Sequence, residues 1–241
     1  MIRRRLPAAG VGLSLAATLG WAATGAGGAL ADLGPIPQNG LRVVLVRHAQ
    51  ALSNLSPPPD LPPEELDHLT PLGREQAAAV GQVLASLEID ALFTSPAKRA
   101  IETTEILGAA LGLEGQVEPG LRPLELGRHR DGSPQSWPNR QAAWKAGRDP
   151  RPAAGESLVD LGERVEGVVQ EARAAHTGGT VVLVAHSEVI GAFIGLVQET
   201  PPPKRLDLHV ANGSLSVVDA DASGGLAVKL LDLVPTGEAS H

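Results

Sequence analysis

The chain has 241 residues, with 27 acidic and 20 basic side chains and a formal net charge of −7. Hydrophobic residues make up 43% of it and aromatic residues only 2%, so aliphatic side chains must fill the core, as they do where helices cover a parallel sheet. Cysteine does not occur in the sequence, which excludes disulfides, thiolate metal sites and a cysteine nucleophile. The excess of negative charge makes nucleic acid and anionic membranes unfavourable partners.

The first segment is typical of a secretory signal peptide. Residues 3–5 are all arginine, residues 6–25 are apolar and small, and residues 29–31 place Ala at the two positions that signal peptidase reads. We therefore predict a signal peptide over residues 1–31, with cleavage near Ala31. An uncleaved membrane anchor is the alternative, but an apolar segment rich in Gly and Ala and short of Leu favours a cleaved leader.

Cleavage at that position removes three arginines and no acidic residue, so the net charge of the mature chain becomes −10. The mature protein is then expected outside the cytoplasm, in the periplasm or the medium, without stable membrane association. Sec and twin-arginine export both stay open, because the arginine pair matches the twin-arginine motif poorly. The oligomeric state is equally open.

Residues 32–241 are predicted to form a single domain of alternating strands and helices. In chain order the sequence predicts a strand at Leu41–Val46, an irregular loop at 51–67, a helix capped by Thr70, a strand at Ala91–Thr94 and a helix capped by Ser95. It continues with an irregular excursion at about 119–155, a helix at Glu156–His176, a strand at Thr180–Ala185, a helix at Ser187–Gln198 and β-like stretches at Leu215–Val218 and Leu226–Leu231.

This alternation predicts an α/β fold. We expect a three-layer sandwich in which helices cover both faces of a mostly parallel central sheet. In such folds ligands bind at the carboxyl ends of the strands. The residues that come after the predicted strands are therefore the first candidates for a functional site.

Three of the predicted strands are followed by side chains that suit an anion. Arg47 and His48 come directly after the first strand, Lys98 and Arg99 lie just beyond the second, and His186 comes after the most strongly apolar strand. Because these ends share one edge of a parallel sheet, two imidazoles and two guanidiniums are expected to form a pocket for a dianion, whose oxygens match the planar fork of arginine. The helix after this last strand adds backbone N–H groups and the positive end of its dipole.

Each of these residues also has a structural explanation, since a single His after a strand is more often structural than catalytic. Their coincidence at one predicted edge favours the functional interpretation. The other histidines lack that placement, and we interpret them as structural or solvated: His68, His129, His176, His209 and His241.

Five ordered segments carry a family resemblance over about residues 42–218. They are Leu45-Val46-Arg47-His48-Ala49-Gln50 with Asn54, Leu69-Thr70-Pro71-Leu72-Gly73-Arg74-Glu75-Gln76-Ala77, Ser95-Pro96-Ala97-Lys98-Arg99-Ala100, Gly155-Glu156-Ser157 and Val184-Ala185-His186-Ser187. Together they resemble the histidine phosphatase superfamily, in the branch that contains phosphoglycerate mutases.

The resemblance implies a role for each matching residue. His48 would be the nucleophile that forms a phosphohistidine, and Arg47, Arg99, Asn54 and His186 would bind the phosphoryl oxygens. Phosphoryl transfer depends mainly on positioning and on positive charge around these oxygens, so no metal and no cofactor are implied. The partner implied is a small phosphorylated substrate.

The sequence departs from the family pattern at three positions. Ala49 and Ser187 stand where the family has glycine, and Ser187 keeps the N–H that binds substrate and is expected to serve as the N-cap of its helix. The acidic residue of the family falls on Pro123, with Glu125 two residues later. We favour Glu125 as the general acid, with Asp131 as the alternative.

We therefore predict an exported phosphomonoester hydrolase that works through phosphorylated His48. A phosphate-binding module with weak or no turnover and a phosphoglycerate mutase are the alternatives. The segment 127–155 is expected to roof the pocket, where five side chains would either contact the leaving group or anchor the segment: Arg128, Arg130, Trp137, Arg140 and Trp144. The sequence does not define which phosphorylated compound is the substrate.

Overall fold

A six-stranded sheet forms the centre of the protein in the computed structural model, which describes residues 28–235. The strands are β1 (Leu41–Arg47), β2 (Ala91–Thr94), β3 (Gly115–Val117), β4 (Thr180–Ala185), β5 (Leu215–Ala220) and β6 (Leu226–Leu233). Their order is β3-β2-β4-β1-β5-β6. The first four run parallel, while β5 and β6 are antiparallel to their neighbours, so the prediction of a mostly parallel sheet is confirmed.

Helices cover both faces of this sheet, as predicted. They are α1 (Pro63–Leu66), α2 (Pro71–Leu84), α3 (Lys98–Leu111), α4 (Trp137–Lys145), α5 (Leu158–Ala175) and α6 (Ser187–Val197). In β1, Val44 and Val46 pack with apolar residues of α2 and α3, whereas Val43 and Leu45 pack with those of α5 and α6. Because alternate side chains of a strand point to opposite faces, every residue of this central strand except its last is buried.

Strand β3 was not predicted from the sequence. It contains Gly115, Gln116 and Val117 and forms the edge of the sheet, and Val117 is 54% exposed. A short, exposed edge strand carries no apolar run, so its sequence resembles that of a loop.

Two of the predicted helix caps were wrong. Thr70 does cap α2, since its side chain accepts a hydrogen bond from the backbone N–H of Gly73. However, α3 begins at Lys98 with Ala97 as its N-cap, so Ser95 is not a cap. Ser187 is the first residue of α6 rather than its N-cap, a position that His186 occupies.

The segments predicted to be irregular contain short helices. In 51–67, α1 begins at Pro63, where proline suits the first helical turn and the next two residues, both glutamate, suit the positive end of the dipole. In 119–155, Ser136 caps α4 by accepting a hydrogen bond from Asn139 N–H. Among the described residues, three 3₁₀ turns lie at Leu52–Asn54, Pro119–Leu121 and Pro202–Asp207.

Most of the predicted leader, residues 1–27, lies outside the described residues. Residues 28–31 are helical, and Leu30 is only 1% exposed because it packs in the core on the side of α2 and α3. Within residues 28–235, no helix combines the length and apolarity that crossing a membrane requires.

Candidate active site

Strand register gathers the predicted site residues at one edge of the sheet. Arg47, the last residue of β1, is paired with Ala185, the last residue of β4. Thr94, the last residue of β2, is paired with Val184 of β4. The residues that come next, His48, Ser95 and His186, therefore leave the sheet at the same carboxyl edge. The ring centroids of His48 and His186 lie 5.1 Å apart.

His48 is buried, with 3% exposure, and its imidazole is held in a defined tautomer. Its Nδ1 lies 2.9 Å from the backbone oxygen of Ala49, which can only accept, so Nδ1 carries the proton. Nε2 therefore bears a lone pair, and it accepts a hydrogen bond from Nε of Arg99 at 3.0 Å. Burial, together with the positive charges of Arg99 and Arg47, lowers the pKa of His48 to about 3. The imidazole is thus neutral and ready to act as a nucleophile at physiological pH.

Arg99 connects the two histidines. Its Nε donates to His48, and its Nη2 donates to Nδ1 of His186 at 3.0 Å. Its Nη1 donates to a carboxylate oxygen of Asp67. This fork geometry spaces hydrogen-bond donors in one plane, as the binding of a phosphoryl group requires.

His186 is 1% exposed and is held from its other side by Ser95. Nδ1 must accept because Arg99 has only donors, so Nε2 carries the proton and donates to Oγ of Ser95 at 2.7 Å. Burial, followed by the electrostatic influence of the neighbouring His48 and by the positive charge of Arg99, holds the pKa of His186 well below its ordinary 6.5. Both imidazoles of the site are therefore neutral when no anion is bound.

Arg47 provides a second guanidinium at the same edge. Its Nη1 donates to the backbone oxygen of Val210 at 2.6 Å, and its Nε is buried without a hydrogen-bond partner among residues 28–235. Burial lowers the pKa of Arg47 from its ordinary 12.5, whereas the charge of Glu188 raises it. A buried donor that lacks an acceptor is stabilised when an anion enters.

Asn54 joins the site through Asn212. The amide oxygen of Asn54 accepts from the N–H of Ala51 at 2.9 Å and from Nδ2 of Asn212 at 3.2 Å, so only its Nδ2 is suited to a phosphoryl oxygen. Asn212 also donates to the backbone oxygen of His48 at 3.0 Å. These contacts connect the segment after β1 to a residue far away in the sequence.

The N-terminus of α6 lies directly after His186. The first intrahelical hydrogen bond runs from Ile190 N–H to His186 O at 2.9 Å, so the preceding N–H groups, including that of Ser187, have no acceptor within the helix. Their partial positive charge favours an anion at this edge. The hydroxyl of Ser187 itself contacts Glu188 at 3.3 Å.

The two candidate acids lie outside this cluster of contacts. Glu125 accepts from Nε of Arg122 at 3.0 Å and its side chain is 52% exposed. Asp131 is exposed, and hydrogen bonds from Ser133 lower its pKa, which disfavours it as a proton donor. Within residues 28–235, neither carboxyl group makes a hydrogen bond or ion pair with the two imidazoles or the guanidinium that connects them.

Part of the segment 127–155 anchors itself to the domain. Trp144 is 5% exposed, packs edge-to-face on Trp137 and lies 5.2 Å from the guanidinium of Arg140. Arg140 is 1% exposed and donates to the backbone oxygens of Leu126 and Glu156. Trp144 and Arg140 are therefore structural.

The remaining arginines of this segment make no such anchor. Arg128 donates to the backbone oxygen of Gly132 within its own loop, at 2.9 Å. Arg130 is exposed. Neither is among the residues that contact the two histidines in the part of the chain that the structure describes.

A cavity of about 510 Å³ lies beside the two tryptophans. It is bounded by Trp137, Gln141, Trp144, Lys145, Lys204 and Asp207, among others, and shares no residue with the histidine cluster. Within residues 28–235, no group of three or more His, Asp or Glu side chains is arranged as a metal site would require.

Four residues that hold the site together were not predicted from the sequence. They are Ser95, which contacts His186, Asp67, which contacts Arg99, Asn212, which contacts His48, and Thr103. Thr103, on α3, accepts from the N–H of Ala49 at 3.1 Å and donates to the backbone oxygen of Arg99 at 2.7 Å. Of these four, only Ser95 has a position in the sequence that indicates a role in the site, because it comes directly after a predicted strand.

The chain is similar to proteins of known family. A family model described as "Histidine phosphatase superfamily (branch 1)" matches residues 43–232. The protein named "Probable phosphoglycerate mutase GpmB" of Yersinia enterocolitica is 30% identical over 195 residues, which cover 78% of this chain and 88% of the relative.

Two solved structures of a mycobacterial glucosyl-3-phosphoglycerate phosphatase are also similar. The complex with VO3 is 27% identical, has a TM-score of 0.63 and covers 79% of this chain and 98% of the phosphatase. The complex with inorganic phosphate is likewise 27% identical with a TM-score of 0.63, over 82% of this chain and 99% of the other.

Proposed function

Because the chain belongs to the histidine phosphatase superfamily, we propose that it is an exported phosphomonoester hydrolase in which His48 is transiently phosphorylated. The observation that carries this proposal is the state of the His48 imidazole. Its Nδ1 proton is held by Ala49 O, and its Nε2 lone pair faces the guanidinium of Arg99. A neutral imidazole beside an oxyanion-binding group is what nucleophilic attack on phosphorus requires.

In the first step, Nε2 of His48 attacks the phosphorus atom while the bond from phosphorus to the ester oxygen breaks. The entering phosphoryl group replaces the contact between Arg99 Nε and His48 Nε2, and Arg99 then donates to a phosphoryl oxygen. The remaining charge is bound by Arg47, Asn54, His186 and the N–H of Ser187. Glu125 is the proposed donor of the proton that the leaving oxygen takes.

In the second step, water attacks the phosphohistidine, the nitrogen–phosphorus bond breaks and inorganic phosphate leaves. His48 recovers its lone pair, and the proton lost by the attacking water returns to the general acid. Apart from the phosphomonoester and water, the two steps need no reactant. The class of substrate proposed is therefore a small phosphomonoester.

Phosphoglycerate mutase activity is the second candidate, because the 30% identical relative bears that name. Two observations favour hydrolysis. The sequence of the leader indicates export away from cytoplasmic phosphoglycerate, and the similar mycobacterial protein is a phosphatase. A binding module without turnover is the third candidate, and Pro123 at the expected position of the acid favours it.

The proposal is tested with the mature protein and an aryl phosphate, whose good leaving group needs little acid catalysis. We expect phosphate release that His48→Ala abolishes and that His176→Ala leaves intact, since His176 caps the far end of α5 and packs on Phe93. Radiolabelled phosphate on His48 after rapid denaturation is expected as well. Isomerisation of phosphoglycerate without phosphate release would favour the mutase, and binding without label on His48 would favour the binding module.

A further inference from the structure

Asp67 is the third partner of the Arg99 guanidinium. Its Oδ1 accepts from Nη1 of Arg99, while Nε and Nη2 of the same group reach His48 and His186. The side chains of Arg99 and Asp67 are only 21% and 23% exposed. Solvent therefore screens this ion pair less than one on an open surface.

The second oxygen of Asp67 holds the backbone at the start of α3. It accepts from Lys98 N–H at 2.8 Å. The N-cap residue Ala97 has no side-chain oxygen, so Asp67, from the loop between α1 and α2, supplies the cap instead. One carboxylate thus fixes both the first turn of α3 and the guanidinium that this turn carries.

Fixing the guanidinium matters because its plane decides which atoms its N–H groups reach. A free arginine side chain samples many rotamers, and holding it costs conformational entropy at each binding event. Asp67 holds Arg99 before substrate arrives, as the electrostatic stabilisation of a transition state requires. Its negative charge also offsets the repulsion between Arg99 and Arg47, whose charges are close enough to interact.

We propose that Asp67 is a positioning residue that holds the Arg99 guanidinium in the orientation from which it bridges His48, His186 and the transferring phosphoryl group. The first two partners are seen in the structure. The third rests on the proposed function.

Asp67→Asn is the informative variant, because Asn keeps an oxygen that can cap Lys98 but loses the charge that holds Arg99. We expect kcat toward an aryl phosphate to fall about 10- to 100-fold, with KM unchanged or lower, since the loss is confined to the transition state and a negative charge beside the bound dianion is removed. Asp60→Asn, an exposed change on the other side of α1, should alter neither constant. A raised KM with unchanged kcat would overturn the proposal.

A double-mutant cycle separates positioning from a general effect on the loop. In an Arg99→Ala background, Asp67→Asn should cause no further loss of kcat, because its effect passes through Arg99. The same fold-loss in both backgrounds contradicts this. Unfolding midpoints of all variants show whether each remains folded under the assay conditions.

The side chain of Arg99 can also be followed without turnover. In ¹⁵N NMR spectra, the Nε–H signal of Arg99, which is assigned by its loss in Arg99→Lys, reports how ordered this side chain is. We expect the side chain to be ordered in the wild type and in Asp60→Asn, but averaged over its orientations in Asp67→Asn. If the Arg99 side chain is equally ordered in Asp67→Asn, the proposal is contradicted, even if the protein hydrolyses phosphate esters. Conversely, loss of order in a protein that hydrolyses none supports the positioning role and rejects only the proposed function.

Discussion

Oγ of Ser95 lies 2.7 Å from Nε2 of His186 and accepts the hydrogen bond from this nitrogen, which carries the proton because Arg99 donates to Nδ1. Ser95→Ala removes the acceptor and leaves a buried N–H without a partner, which typically costs about 1–3 kcal/mol. We expect kcat/KM for an aryl phosphate to fall about tenfold. Ser86→Ala, at an exposed residue just beyond α2 whose hydroxyl donates only to the local backbone oxygen of Val83, is the matched control. Equal activity of the two variants would show that the contact does not act in catalysis.

Binding of inorganic phosphate is expected to be accompanied by proton uptake at neutral pH. With Nε2–H held by Ser95 and Nδ1 accepting from Arg99, His186 has no N–H left for a phosphoryl oxygen unless it gains a proton. Its pKa is held well below 6.5 in the empty site, and a bound dianion raises it. Calorimetry in buffers of different ionisation enthalpy measures this uptake. His186→Gln should bind phosphate with less uptake, and no uptake by the wild type contradicts the prediction.

His48 should stay neutral far into the acid range. Its pKa is lowered from 6.5 to about 3, first by burial and then by the charge of Arg99. In NMR titrations of the phosphate-free protein we expect the His48 imidazole signals to be constant from pH 7 down to pH ~4.5. A titration of His48 near pH 6.5 would show that burial and the charge of Arg99 do not act on it as inferred.

Glu125→Gln tests the proposed general acid. An acid matters most for poor leaving groups, so we expect the variant to lose about 100-fold in kcat on an alkyl phosphate and little on an aryl phosphate. Asp131→Asn, on an exposed carboxylate whose pKa is lowered by Ser133, should affect neither. Arg122→Gln, which breaks the ion pair with Glu125, distinguishes a role of the pair from one of the acid alone. An equal loss on both substrates would reject Glu125 as the proton donor.

The position at which the leader is cleaved should affect the stability of the folded domain. Leu30 is 1% exposed within the core, and cleavage after Ala31 would remove it. We expect a chain that begins at Asp32 to be less stable than one that begins at Gly28 by about 2 kcal/mol, the lower end of the range for deleting a buried leucine side chain. Urea unfolding of the two chains measures this, and N-terminal mass analysis of the exported protein shows which form exists. Equal stability would show that Leu30 does not stabilise the domain.

Much of the fold could be predicted from the chain alone. The apolar run that forms β4, fully buried in the structure, has the length and composition of a central strand. Edge strand β3 and helix α4 escaped prediction because neither buries a continuous apolar face. Ser95 was misassigned because a serine before proline suits a helix cap equally well, and only the neighbouring strand shows that its hydroxyl meets His186 instead.

The extent of each buried apolar run in the sequence predicts where a strand ends and which residue comes next, and so which residues reach the carboxyl edge of the sheet. What those residues contact there follows from the packing of distant segments. Ser95 meets His186 across 91 positions and Asn212 meets the His48 carbonyl across 164. Such contacts depend on the direction of single side chains after strands pair, and no local periodicity encodes that direction.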